Sequence, residues 1–227
     1  MKYLITSSLL DSFDWLQNCP KSWQKKAIAD FVAMIRREKR PTSPECQRGI
    51  DFEDLVCRSG FTDNTFVDYI TKMYETSGLT GEKLDKAIEV TYTIYERCVC
   101  GEQQKKLMKD IVVDNKVYHL FGYADIVLPN VIYDIKTTTH YKGDEAYLKR
   151  SQHRIYSICS GIEEFEYLIA DYCGSNAPRE FHSAYARTNY NDNIDVISNR
   201  IKNLMKFIDL SGLRKDYEEI FTAKHND

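Results

Sequence analysis

No stretch of the 227-residue sequence approaches the roughly 20 apolar residues that a membrane span requires, so no membrane association is expected. The opening MKYLITSSLLDSFDWLQNC carries one lysine followed by acidic and amide side chains, which does not make a secretion signal. No C-x-x-C pair occurs. The seven cysteines, at 19, 46, 57, 98, 100, 159 and 173, are odd in number and scattered, which reads as reduced thiols in a cytoplasmic compartment. Cys98 and Cys100 lie two apart and would not share a helix face, so they do not suggest a zinc site. Excess positive charge is also missing. A net charge of -3 excludes a protein that coats nucleic acid non-specifically, but it leaves room for an enzyme with a local basic path. No G-x-x-x-x-G-K-[ST] run is present, so any ATP-driven partner would be a separate chain. Neither an internal repeat nor a shift in composition divides the chain, and one domain over 1–227 is expected.

What is there is an ordinary globular mixture, 43% hydrophobic and 29% charged, with sixteen tyrosines and ten phenylalanines available for core or stacking. Ser7 and Ser8 precede a helical pattern of Leu9, Leu10, Phe13 and Leu16, which Asn18-Cys19-Pro20 breaks. A second helix carries Trp23, Ala27, Ile28, Phe31 and Ile35. From Lys21 to Arg40 there are seven Lys or Arg against two acidic residues, a face suited either to phosphates or simply to water. RPTSPECQRG, at 40–49, reads as a connection, with a short helix after it holding Phe52, Leu55 and Val56. Residues 63–108 read mostly as helices, with a turn at Ser77-Gly78.

Near Ile111 the period changes from helix to strand. Two strands turn at Asp114-Asn115, a third follows Pro129-Asn130, residues 146–160 return to helix, and EFEYLIADY and EFHSAYA read as further strands. A helix over 192–208 closes the chain. The expected fold is α/β, a mixed sheet of four or five strands flanked by helices. Its helical N-terminal part covers 7–108 and its sheet core 111–173.

VIYDIKTT, at 131–138, places Asp134 and Lys136 on one face of a strand that is otherwise apolar. Burying such a pair costs several kcal/mol, roughly, unless each group finds a partner or a metal. Asp125, in GYADIVL, is as far before Pro129-Asn130 as Asp134 is after it, so a two-residue turn sets the two carboxylates opposite each other. Opposed carboxylates repel, and a divalent metal reverses the sign by taking oxygens from both. A salt bridge between Asp134 and Lys136 is the plainer alternative. Glu53, in GIDFEDLV, supplies a third acid on the short helix, although alone it reads as a surface residue. In SQHRIYSI, Gln152 and Tyr156 share one helix face, with Lys149 and Arg150 just ahead of it. His153 turns away from Gln152 and reads as a satisfied histidine and no ligand.

The order G-x-x-D, D-x-K, Q-x-x-x-Y resembles the PD-(D/E)XK nuclease superfamily, closest to the branch of RecB-type nuclease domains, Cas4 proteins and phage exonucleases. The segments are GYAD at 122–125, DIK at 134–136 and QHRIY at 152–156. RGIDFEDLV at 48–56, SSLLDSF at 7–13 and CPKSW at 19–23 are similar to segments that precede them in that branch. The resemblance runs from about residue 7 to 170, and its strength lies in the order and spacing of the motifs together.

It implies a restriction-endonuclease-like core and a Mg2+- or Mn2+-dependent deoxyribonuclease, an exonuclease of recombination, repair or phage DNA processing. The implied metal ligands are Asp125 and Asp134, helped by Glu53 and the carbonyl of Ile135. Lys136 would assist hydrolysis, and Gln152 and Tyr156 would support the site or position the strand. Lys149 and Arg150 would join Gln152 and Tyr156 against DNA. Cys19 resembles the first ligand of an iron–sulfur cluster found in some members. The three C-terminal cysteines of those members are reduced here to Cys159 and Cys173, so no cluster is expected. DNA is the expected partner, with a homo-oligomer or a recombination protein as further possibilities. The competing reading is a non-catalytic DNA-binding or structural protein on the same fold.

Overall fold

The computed structural model describes residues 2–222. Strand β1 (Lys2–Thr6) leads directly into helix α1 (Ser7–Asn18), where the Thr6 hydroxyl accepts the Leu9 N–H at 3.2 Å and caps the first turn. Leu9, Leu10, Phe13 and Leu16 are the buried face of α1, as their spacing predicts. A short turn at Lys21–Trp23 precedes α2 (Gln24–Ile35), which buries Ala27, Phe31, Ala33 and Ile35 and leaves Trp23 and Ile28 about half exposed.

Two expectations are corrected in the next hundred residues. The segment 40–49 is a connection only as far as Ser43, because α3 spans Pro44–Val56. Ser43 accepts the Cys46 N–H at 3.2 Å, and Pro44 occupies the first turn, where its missing N–H breaks no helical bond. Helices α4 (Asp63–Thr76) and α5 (Glu82–Cys98) follow. The helical part then ends at Cys98, ten residues before the expected limit, since β2 spans Glu102–Val113. Only Leu107, Ile111 and Val113 of β2 are buried, so the run EQQKKLMKD hides its strand period behind polar residues on both faces.

The remaining elements are β3 (Lys116–Val127), β4 (Val131–Thr138), α6 (Glu145–Leu148), α7 (Gln152–Ser160), β5 (Glu164–Asp171), β6 (Glu180–Arg187), α8 (Tyr190–Leu210) and α9 (Arg214–Ile220). The continuous helix expected over 146–160 is therefore two helices separated at residues 149–151. The mixed sheet has six strands, one or two more than expected, because the short β1 was not foreseen.

One core lies between the sheet and α1, α2, α7, α8 and α9, with Ile5, Phe31, Leu120, Ile155, Phe165 and Ile201 in its interior. The other lies under α3, α4 and α5, around Phe66, Ile70, Ile94, Ile126 and Leu168. Among the described residues no helix is long and apolar enough to cross a membrane.

The feature that positions the site is the edge of β3. Strand β2 pairs antiparallel along nearly all of one side of β3. The other side is shared. Parallel β1 covers residues 117–121 and antiparallel β4 covers only 126 and 127. Residues 122–125 lie in the fork where β1 has ended and β4 has turned toward β5, with which it pairs in parallel over its whole length. GYAD is this fork.

Candidate active site

The turn between β3 and β4 is the two-residue turn expected at Pro129-Asn130, with Leu128 N–H donating to the Val131 carbonyl at 2.9 Å. Ile126 pairs with Tyr133 and Val127 with Ile132, the register that puts Asp125 level with Asp134. Regular pairing stops one step before those two residues. In an unbroken ladder the Ile135 N–H would face Ala124. Instead it donates to the Asp125 carboxylate at 2.8 Å, so a side chain wedges the fork open. On the far side of β3 the pairing with β2 also skips Asp125 and its opposite residue Gln104, which has a left-handed backbone (φ 48°). A non-glycine residue held there carries local strain, a recurrent mark of functional positions. Gln104 uses its altered direction to donate from Nε2 to Glu53 Oε1, which brings α3 to the mouth of the fork.

Three carboxylates and one ammonium therefore meet around the fork, near enough to influence one another's titration. Asp134 is fully buried, Asp125 nearly so, and Glu53 half-buried at the rim. Gln152 Nε2 donates to Asp134 Oδ1 at 2.5 Å. Asp134 Oδ2 faces the Lys136 Nζ as an ion pair, yet no hydrogen bond of ordinary geometry reaches it. Burial, the Asp134 charge and Glu53 push the Asp125 carboxyl well above the usual carboxylate range, against the opposing pull of Lys136 and the Ile135 N–H. Glu53 moves in the same direction through burial and Asp134. For Lys136, whose side chain is 25% exposed, burial pulls downward, but Asp134 and Asp125 outweigh it and hold the ammonium charged.

A folded-state rise at Asp125 has a definite consequence for the metal-free protein. Between the unfolded and folded pKa values the native state binds the extra proton, so stability falls as pH rises through that window. In EDTA, thermal unfolding is expected to move to lower temperature from about pH 5 to about pH 8, with a slope of at most about 1.4 kcal/mol per pH unit for each such group. Asp125→Asn should flatten the slope and raise stability at the upper end. A wild-type slope of opposite sign over that range would contradict the assignment.

Gln152 and Tyr156 stand at the first and second turns of α7. Besides holding Asp134, Gln152 donates toward the Tyr156 hydroxyl at 3.3 Å, and that hydroxyl donates to the Tyr123 carbonyl at 2.6 Å. Tyr123 lies in the fork, so Tyr156 replaces a missing neighbour strand. The glycine of GYAD follows from this contact. A Cβ on Gly122 would stand 2.5 Å from Tyr156 Cε1 and 3.0 Å from its hydroxyl oxygen. His153 is a buried histidine, its Nδ1 3.3 Å from the Tyr167 hydroxyl, and burial drives its pKa down to about 3. Of the two basic residues ahead of α7, Lys149 is exposed and paired with Glu145 at 3.2 Å. Arg150 lies over the Tyr147 ring at 5.0 Å, near enough to oppose the charge of Lys136.

Two site residues escaped the sequence reading. Helix α7 has no cap from its own preceding residue. Asp11, on α1, takes that role by accepting the Ser151 N–H at 2.6 Å. Arg200, on α8, donates to Ser151 Oγ at 2.6 Å and to the Lys149 carbonyl at 2.8 Å. Together they pin residues 149–151 and with them the start of α7, where Gln152 begins. Asp11 sits within the SSLLDSF segment, but no local signal ties it to a backbone 140 residues away.

Among the described residues no group of three His, Cys, Asp or Glu side chains converges closely enough to cage an ion. Mg2+ does not require such a cage, because one or two carboxylates with retained waters suffice. The buried oxygen of Asp134 without a hydrogen bond, the crowded carboxyl of Asp125 and the all-oxygen donor set suit a hard divalent cation and do not suit zinc.

No family model matches the chain. No curated protein matches it either. Among solved structures, one described as SSO0001 is 14% identical, with a TM-score of 0.47 over 100% of this chain and 89% of its own. An alkaline exonuclease, LHK-Exo, from Laribacter hongkongensis is 11% identical, with a TM-score of 0.46 over 95% and 90%. LHK-Exo in complex with dAMP is 10% identical, with a TM-score of 0.48 over 95% and 94%.

Proposed function

We propose that this chain is a single restriction-endonuclease-like domain that hydrolyses DNA phosphodiester bonds with a divalent metal, as an exonuclease. The observation that carries the reading is Asp134, a fully buried carboxylate with one oxygen lacking a hydrogen bond, level with Asp125 and beside Lys136. Such crowding of acids is destabilising for the fold itself, and a cation that takes oxygens from both offsets it. Asp125, Asp134 and the Ile135 carbonyl would hold Mg2+ or Mn2+, with Glu53 at the rim. The metal would supply charge for the phosphoryl oxygens and a nucleophilic hydroxide from water. Gln152 fixes the direction of Asp134, and Tyr156 holds β3 at the width of the fork. Lys136 stays protonated among these acids, which suits it to steadying a phosphoryl oxygen and not to removing a proton. Arg150, close enough to act on Lys136, would offer further positive charge to the DNA backbone.

One observation favours the competing reading, a DNA-binding protein without hydrolysis. The Lys136 ammonium already faces Asp134 and by itself neutralises one buried acid. Calorimetric titration with Mn2+ separates the two, combined with cleavage assays on end-labelled linear duplex, single strands and closed circular DNA, with EDTA as control. The nuclease reading expects Mn2+ binding that Asp134→Asn abolishes, and metal-dependent loss of linear but not circular substrate. Binding unchanged in Asp134→Asn, or a well-folded wild type inactive on all three substrates with both metals, would overturn it.

A further inference from the structure

Among the described residues no helix stands over the face of β2 and β3 turned away from the first core. Cross-strand pairs along this face are Lys106 with Tyr123, Met108 with Phe121, Asp110 with His119 and Val112 with Val117. The helices of that layer stand over β4, β5 and β6, with α3 reaching only the Gln103 and Gln104 end of β2. As a result Tyr123 is 49% exposed, Met108 52% and Val112 70%, an unusual amount of apolar surface for one two-stranded segment.

The chemistry of this face differs along its length. At the far end, Asp110 is paired with Lys2 at 2.6 Å and lies within hydrogen-bond distance of His119 Nδ1 at 2.7 Å. The Met108–Phe121 and Lys106–Tyr123 pairs that lead from there toward the fork carry no carboxylate, while the fork itself holds Asp125 and Glu53. Phe121 and Tyr123 meet edge to face at 5.3 Å, and Lys106, which has no ion pair among the described residues, lies 5.7 Å from the centre of the Phe121 ring. The exposed Tyr123 ring and the half-buried Phe121 ring, with one lysine beside them, make a surface for unpaired bases and their phosphates. Stacking on an aromatic side chain is open to any base, and the lysine supplies backbone attraction. Its position is equally informative. Tyr123 is two residues from Asp125, and Lys106 is two from Gln104, which holds Glu53.

We propose that Tyr123, Phe121 and Lys106 form a platform for single-stranded DNA that continues from the mouth of the fork along the outer face of β2 and β3. This rests on the nuclease reading only for the direction in which the strand runs. The stacking surface itself requires neither metal nor hydrolysis. A strand separated at a duplex end would leave its bases on this face while its partner enters the acid cluster.

The test measures binding in EDTA, with fluorescently labelled single-stranded 20-mers and blunt duplexes, by anisotropy on the full chain. Tyr123→Ala and Phe121→Ala are each expected to weaken single-strand binding by about 5- to 100-fold, the scale of one lost base stack, and to affect duplex less. Tyr123→Trp should retain binding. Lys106→Ala should reduce the slope of log affinity against log salt by about 0.7. Iododeoxyuridine placed in the strand should crosslink to Tyr123 or Phe121. Single-strand binding unchanged in both alanine variants, or crosslinks mapping elsewhere, would overturn the platform even if the wild type cleaves DNA. Loss of binding in the variants would uphold it even if the wild type cleaves nothing. A dimer in sedimentation that the same substitutions dissociate would also overturn it, by assigning the face to a second copy of the chain.

Discussion

Lys136→Ala is expected to lower DNA cleavage by about 10²–10³-fold, the scale of one preorganised electrostatic group. Mn2+ affinity in the same variant should be retained or tightened. The two outcomes go together because Lys136 and a metal compete for one oxygen. Asp134 Oδ2 is buried and faces the lysine ammonium as its ion-pair partner. Removing the ammonium frees that oxygen and leaves the acid pair without its cation, which strengthens demand for a divalent ion. The same loss destabilises the metal-free fold, since a buried carboxylate remains uncompensated. Thermal unfolding in EDTA and with Mn2+ should therefore show a larger metal-induced shift in the variant than in the wild type. Equal cleavage by both proteins would remove Lys136 from the chemistry, and a contaminating nuclease would become the simpler source of activity.

Gly122→Ala is the second large effect expected, and it reaches the site through packing. The new methyl group meets the Tyr156 ring at 2.5 Å, well inside contact distance. Tyr156 cannot withdraw freely, because its hydroxyl is bonded to the Tyr123 carbonyl and it packs against Phe165 with ring centres 6.1 Å apart. Overpacking of this kind costs about 1–3 kcal/mol. For a chain of this length that lowers the melting temperature by roughly 2–12 °C. Cleavage should fall as well, since the displaced ring no longer braces the fork. In a Tyr156→Leu background the same substitution should cost much less, and the double-mutant cycle reads that difference directly. Additive effects of the two substitutions would show that the clash with Tyr156 is not the cause.

The placement of Asp125, Asp134 and Lys136 was legible because it rests on local arithmetic, whereas Glu53 alone read as a surface acid and entered only through the resemblance of RGIDFEDLV. Period-two alternation put Asp134 and Lys136 on one face, and distance from Pro129-Asn130 set Asp125 level with Asp134. The start of α3 at Pro44 was missed, because the glycine and prolines around it read as a connection, and the helix containing Glu53 was shortened accordingly. β2 was hidden for a different reason. One of its faces meets solvent and the other meets the core at only three positions, so EQQKKLMKD carries no clear alternation. The break between α6 and α7 had no visible cause in sequence, because the groups that stabilise it, Asp11 and Arg200, come from other helices. Asp11 falls within SSLLDSF, but nothing local links it or Arg200 to residues 149–151. Contacts of this range follow from packing and leave no periodic trace.

The Asp11 and Arg200 clamp also sets a time at which the site can exist. Synthesis delivers Asp125, Asp134, Lys136 and Gln152 well before Arg200 leaves the ribosome, and the exit tunnel delays α8 further. A nascent chain halted before residue 200 lacks the guanidinium that donates to Ser151 and Lys149, which leaves Asp11 alone to hold the start of α7 at Gln152. The acid cluster thus draws part of its support from a residue that follows it by more than sixty positions, and a product truncated within α8 would lack that support.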